Sequence, residues 1–174
     1  MQINWNTIPC YTFNVSTLTS AYNICQLMKA AKINKYVYQI MWKGIVIKYG
    51  MSADNSKTYG ERLYRQIGHS KSWGDQRLVC ASGSDWRIIE EDFETMYGVP
   101  LDKDSLKVKL WDASNYLFET INPWDEVYYM EQELIRKYQD VVGQKPIGNI
   151  NDDKNIMYKA RIKKSTWGGL FDGA

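Results

Sequence analysis

The stretch YVYQIMWKGIVIKYGMS, residues 36–52, decides the fold of this chain. Two runs rich in β-branched and aromatic residues, Lys35 to Met41 and Ile45 to Gly50, flank Trp42, Lys43 and Gly44, the signature of a β-hairpin. Loop length then determines which side chains share a face, because a slip of one residue turns a strand over. A two-residue Lys43-Gly44 turn pairs Trp42 with Ile45 and sends Tyr38 and Lys48 to opposite faces. A three-residue loop with Gly44 left-handed pairs Met41 with Ile45 and sets Tyr38 directly across from Lys48. The three-residue loop is the expectation. It gathers Val37, Met41, Ile45 and Ile47 on a largely apolar face and Tyr36, Tyr38, Lys48 and Gly50 on the other.

Upstream, residues 1–15 read as irregular, and a helix starts at Ser16 or Thr17 and carries Ala21, Ile24, Leu27, Met28 and Ala31. Downstream, the polar loop Ser52 to Lys57 leads into a helix from about Thr58, closed by Gly68. Leu63 and Ile67 give it a core edge, while Arg62, Arg65, Gln66 and His69 share a cationic face whose plain reading is a solvated surface. Another helix begins after Ser84 or Asp85, carries Trp86, Ile89, Phe93 and Met96, and ends at Gly98. Its acidic residues, Glu90 to Asp92, are expected to face solvent. Leu106 to Trp111 alternates as a third strand.

Asn122 as a cap and Pro123 at the first position open a last helix that runs to Val141. Val127, Leu134, Tyr138 and Val141 recur on its apolar stripe, and Glu131 falls on that stripe beside Ile135. A buried carboxylate requires a salt bridge, a proton or a metal ion, and the plain reading is a core-edge Glu paired with an Arg or reaching past its neighbours to water.

A hydrophobic fraction of 44% with 24% charged residues in 174 residues predicts a single folded domain and argues against disorder. Thirteen Tyr and seven Trp suit cores, interfaces and base stacking alike. A formal net charge of +2 gives weak whole-molecule attraction to nucleic acid, so a polyanion must meet a local patch. No run approaches the ~18 apolar residues of a membrane span, and MQINWNTIPC lacks a signal pattern, which predicts a cytoplasmic protein with no membrane partner. Three scattered Cys and one His exclude a zinc site or disulfide framework as the expectation.

The ordered segments YVYQI at Tyr36 to Ile40, IKYGMS at Ile47 to Ser52, GERL at Gly60 to Leu63 and EQELIRKY at Glu131 to Tyr138 resemble the GIY-YIG nuclease superfamily over roughly residues 35–150. That resemblance implies an α+β fold, a small three-stranded antiparallel sheet flanked by helices. Residues 1–34 then form an N-terminal arm and helix, 35–150 the nuclease core and 151–174 a basic C-terminal tail, in one compact domain overall. By position, Tyr38 matches the tyrosine of the first triplet and Gly50 the glycine of the second. Arg62 matches the helix arginine, and Glu131 the metal-binding glutamate. Tyr36 replaces the usual first glycine. Lys48 stands where the second triplet has tyrosine, which resembles a restriction-endonuclease branch.

The implied activity is site-specific cleavage of double-stranded DNA assisted by Mg²⁺ or Mn²⁺, with the protein acting as a homodimer or higher homo-oligomer. The residue types suit the chemistry. Tyr38 and Lys48 can share the positioning and deprotonation of a water, since an ammonium favours the phenolate form of a neighbouring tyrosine. Arg62 can hold phosphate oxygens in a fork and Glu131 can anchor the metal beside the leaving group. Tyr36, Tyr49, Tyr64, Arg65, His69 and Asn149 are supporting candidates, and Lys154, Lys159, Arg161, Lys163 and Lys164 are candidate DNA contacts on the tail. The rival readings are a phage or mobile-element nuclease, and a nucleic-acid-binding module that keeps the fold without cutting.

Overall fold

A computed structural model describes residues 2–15, 22–53, 63, 86–102, 105–116 and 123–149. After a 3-10 turn at Trp5–Thr7, the elements are β1 (Cys10–Asn14), α1 (Tyr22–Ala30), β2 (Lys35–Trp42), β3 (Ile45–Ala53), α2 (Trp86–Tyr97), β4 (Leu106–Asp112) and α3 (Pro123–Val142). The fold is α+β. Its sheet is antiparallel in every pairing and has four strands in the order β1-β4-β2-β3, one more than the expected three.

The additional strand comes from the stretch expected to be irregular. Cys10-Tyr11-Thr12-Phe13-Asn14 has strand-compatible residues, but its partner is β4, far along the chain, with Cys10 opposite Trp111 and Asn14 opposite Lys107. No hairpin signal accompanies such a pairing, so local pattern could not reveal it. The N-terminal helix, α2, β4 and α3 match their expected positions, while the expected helix start at Ser16 or Thr17 and the Asn122 cap lie outside the described residues. At the end of α2, Gly98 adopts φ +72° and its amide donates to the Glu94 carbonyl at 2.8 Å, the expected left-handed stop.

The β2–β3 hairpin departs from the expectation in an instructive way. Lys43 and Gly44 have φ of 45° and 82°, as a two-residue type I′ turn requires, and Trp42 pairs with Ile45. A three-residue loop does not form. Between Ile40 and Met41 the register shifts: Met41 pairs with Val46 and Ile40 with Lys48, leaving Ile47 as the extra residue of a β-bulge. Tyr38 then lies opposite Gly50 and Tyr36 opposite Ser52. The bulge returns Lys48 to the face of Tyr36 and Tyr38, diagonal to Tyr38 rather than directly across.

Two apolar clusters occupy the two faces of the sheet. The first contains Tyr36, Tyr38, Ile40, Ile47, Leu106, Val108 and Leu110 with Met28 of α1, Ile89 and Phe93 of α2, and Leu63. Ile45 and Ile47 therefore pack with the tyrosines, not on the opposite face as expected. The second contains Val37, Tyr49, Met51 and Trp111 with Val127, Met130 and Ile135 of α3 and with Ile3 and Ile8 of the N-terminal segment. Helices α1 and α2 thus cover one face and α3 the other. At one end of this layer Lys35 of β2 meets Glu126 in the first turn of α3 at 2.6 Å, both side chains nearly buried.

Candidate functional site on the buried tyrosine face

Alternation along β2 and β3 places Tyr36, Tyr38, Lys48, Gly50 and Ser52 on one face. The plain alternative, a solvated cross-strand pair, does not hold. Tyr36 is 0% exposed, Tyr38 1%, Lys48 5% and Ser52 3%. The Tyr36 and Tyr38 rings lie 6.3 Å apart and tilted by 39°. Diagonal neighbours on paired strands are about 7–8 Å apart, within reach of a tyrosine and a lysine side chain. Lysines are rarely buried to this degree without partners, and Lys48 is not without one.

Gly50 is what makes room for this packing. A methyl group at position 50 would overlap the Tyr38 ring at its Cζ, hydroxyl and Cε2 atoms. Position 50 demands glycine for space, since the aromatic ring lies flat across the backbone of the opposite strand. Ser52 was passed over in the sequence reading. The alternation Lys48, Gly50, Ser52 was the signal that could have found it.

Strand β3 forms one margin of the sheet, and the chain after α3 wraps around it. Ile147 joins the cluster on the tyrosine face, although α3 packs on the other. On the way, the buried Asn149 side chain accepts a hydrogen bond from the Tyr49 amide at 2.9 Å and donates one to the Tyr49 carbonyl at 3.0 Å. One side-chain amide so satisfies both backbone groups of an edge residue, as a neighbouring strand would. Beside it Gly148 packs tightly on Lys48: a methyl group there would come within 2.7 Å of Lys48 Cβ and 2.8 Å of the Ile47 carbonyl oxygen. Asn149 thus holds the strand residue between Lys48 and Gly50.

Glu131 is half-buried on α3. At about 100° per residue it lies between Val127 and Ile135 on the sheet-facing stripe. Glu133 and Lys137 occupy the flank toward β4. Trp5, whose ring packs edge-on against Trp111 at 5.6 Å, donates from Nε1 to Glu133 at 3.0 Å, and Lys137 reaches Glu133 at 2.9 Å. The opposite flank, with Glu131, turns toward β3. Tyr38 and Lys48 thus lie on one face of the sheet and the helix that carries Glu131 packs on the other, with the 146–149 turn rounding the β3 edge between the two faces.

Among the described residues no three His, Cys, Asp or Glu side chains gather in a group that could hold a metal ion. A single carboxylate still fits Mg²⁺, which keeps several waters and takes substrate phosphate oxygens, and it does not fit a structural zinc. Tyr49 points to the α3 side. Its ring packs edge-on against Tyr138 at 6.4 Å. Burial first, and then the neighbouring Tyr138, push its hydroxyl up to about 12. The neutral phenol of Tyr49 is therefore favoured over its phenolate on this side of the sheet. Arg62, Tyr64, Arg65, His69 and the tail lysines and arginine, Lys154, Lys159, Arg161, Lys163 and Lys164, lie outside the described residues. No helix among the described residues is long and apolar enough to cross a membrane.

No family model, curated protein or solved structure gives a match to this chain.

Proposed function

We propose that this chain is a divalent-metal-dependent endonuclease that hydrolyses phosphodiester bonds of double-stranded DNA, with sequence preference. The observation that carries the reading is a lysine buried on the same sheet face as two buried tyrosines, diagonal to Tyr38 and beside a glycine that admits the Tyr38 ring. An ammonium near a phenol is the pairing that readies a proton acceptor for water, and packing alone does not call for it. In this reading Tyr38 and Lys48 position and deprotonate the water. Asn149 keeps Lys48 in register, and Arg62 steadies the phosphate. Glu131 would hold the metal ion, which supplies charge stabilisation at the departing oxygen.

The burial of Tyr38 and Lys48 implies that the cleaving form opens the cover over this face. The same burial favours one rival, a DNA-binding module on the same fold that does not cut. Incubating wild type and Glu131→Gln with mixed plasmid and phage DNA, with Mg²⁺ or EDTA, separates the readings on a gel. Discrete fragments with Mg²⁺ that vanish in Glu131→Gln support a site-specific nuclease, and a smear supports a degradative phage or mobile-element enzyme. Binding without cutting by wild type refutes the nuclease reading.

A further inference from the structure

Among the described residues, α3 and the N-terminal segment cover only part of the α3 face of the sheet. Helix α3 packs chiefly on β3 and β2. The outer half presents two cross-strand rows, Thr12–Lys109–Gln39 and Asn14–Lys107–Met41. Thr12, Asn14 and Lys107 are exposed, and Gln39, Met41 and Lys109 are partly so. Lys107 and Lys109 are two residues apart on one strand, hence about 7 Å apart. The Lys109 ammonium lies 5.2 Å above the centre of the Trp111 ring, which holds it on this face. Among the described residues of β1, β2 and β4 no carboxylate points to this side. On the adjoining flank of α3, Glu133 is engaged by Trp5 and Lys137.

From this geometry we infer that the outer half of the α3 face, built on Lys107 and Lys109, is a docking surface for the phosphate backbone of double-stranded DNA. The inference rests on the DNA reading above and adds the surface that grips the duplex. Two cations on one strand, Lys109 held over Trp111 and Lys107 exposed beside it, flanked by neutral Thr, Asn and Gln side chains, complement a polyanion. Hydrogen-bonding side chains of this kind also contact backbone oxygens. The low net charge of the chain makes such a local patch necessary for binding at ordinary salt. The α3 flank bearing Lys137 borders this surface, and Glu131 lies on the other flank of the same helix.

The test uses full-length Glu131→Gln in EDTA, which separates binding from cutting, and a labelled duplex read by fluorescence anisotropy across a salt series. Replacing Lys107 and Lys109 together with Gln should weaken binding by up to about 60-fold near 0.1 M salt and reduce the salt slope by about 2, at roughly 0.9 per phosphate contact. Lys29→Gln with Lys32→Gln, exposed residues at the end of α1, should leave both unchanged, and circular dichroism should show all variants folded. Unchanged duplex affinity and slope in the Lys107/Lys109 variant would overturn the docking surface while leaving the nuclease reading intact. The same holds if that variant loses affinity for RNA alone. Lysine-dependent duplex binding with no cutting by wild type would uphold the surface and refute the nuclease.

Discussion

Gly50→Ala isolates the central packing contact of the tyrosine face. The added methyl would overlap the Tyr38 ring, and Tyr38 is buried between the sheet and its covering helices, so it has little room to yield. Overpacking of this kind costs about 1–3 kcal/mol. For a domain of this size each kcal/mol lowers Tm by about 2–4 °C, which predicts a drop of about 2–12 °C. The backbone at position 50 is compatible with alanine, so the whole effect should come from the ring. A double-mutant cycle tests this by thermal or urea melts of wild type, Gly50→Ala, Tyr38→Ala and the double variant. Tyr38→Ala alone should cost about 3–5 kcal/mol through the cavity it leaves. In its background Gly50→Ala should cost nearly nothing, giving a coupling of about 1–3 kcal/mol. Costs that simply add, within about 0.5 kcal/mol, would refute the claim that glycine is required here for the tyrosine.

Asn149→Ala removes both hydrogen bonds to the Tyr49 backbone. It should cost about 1–3 kcal/mol and markedly speed amide exchange at Tyr49, read by hydrogen-exchange NMR; unchanged protection would show that the edge is closed by something else. Glu126→Gln should destabilise by about 3 kcal/mol, because it leaves the Lys35 ammonium nearly buried without its carboxylate, whereas Lys35→Met with Glu126→Leu should cost less than the single variant. Tyr49 has its hydroxyl raised to about 12, so its contribution to stability is fully present below about pH 10 and is lost as pH climbs toward 12; Tyr49→Phe should flatten this alkaline loss in melts. Burial pushes the Glu133 carboxyl up, but hydrogen bonds from Trp5 and Lys137 and the charges of Lys137 and Arg136 outweigh it and hold it below the ordinary value. Its contribution is present above about pH 4.5 and fades as pH falls further. Trp5→Phe should weaken that acid dependence.

Much of the architecture was readable because it is local. The hairpin, α2, β4 and α3 each announce themselves through periodicity and end signals within a dozen or so residues. Strand β1 did not, since its identity depends on a partner far along the chain. The bulge at Ile47 is likewise silent in sequence: nothing about an isoleucine between valine and lysine marks it as the residue that pairs with none. The membership of the tyrosine face was legible, with Tyr36, Tyr38, Lys48 and Gly50 together as expected, although the loop reasoning behind it was incorrect. Burial was not legible, because Lys48 and the tyrosines are polar enough to suggest a wet surface, and it takes the packing of α1, α2, Leu63 and the 146–149 turn against the sheet to make the face dry. Asn149 stood out by position alone. Its clamp on Tyr49 requires the chain to round the edge of the sheet, which no pattern encodes.

The Ile47 bulge and the Lys43-Gly44 turn form a pair of compensating offsets. A two-residue turn sets the parity of the hairpin one way and a single extra residue sets it back, so only their sum determines whether Lys48 shares a face with Tyr38. The hairpin therefore obeys an arithmetic of odd and even. Drawing Ile47 into the ladder with the two-residue turn kept would pair Lys48 with Gln39 and rotate Lys48, Gly50 and Ser52 as a block to the α3 side, whereas losing Ile47 outright would leave Lys48 opposite Ile40. A three-residue loop that takes in Trp42 would restore the arrangement with Ile47 paired. The two positions are interchangeable reservoirs of one residue each, and the identity of the turn is free to drift so long as the bulge drifts with it.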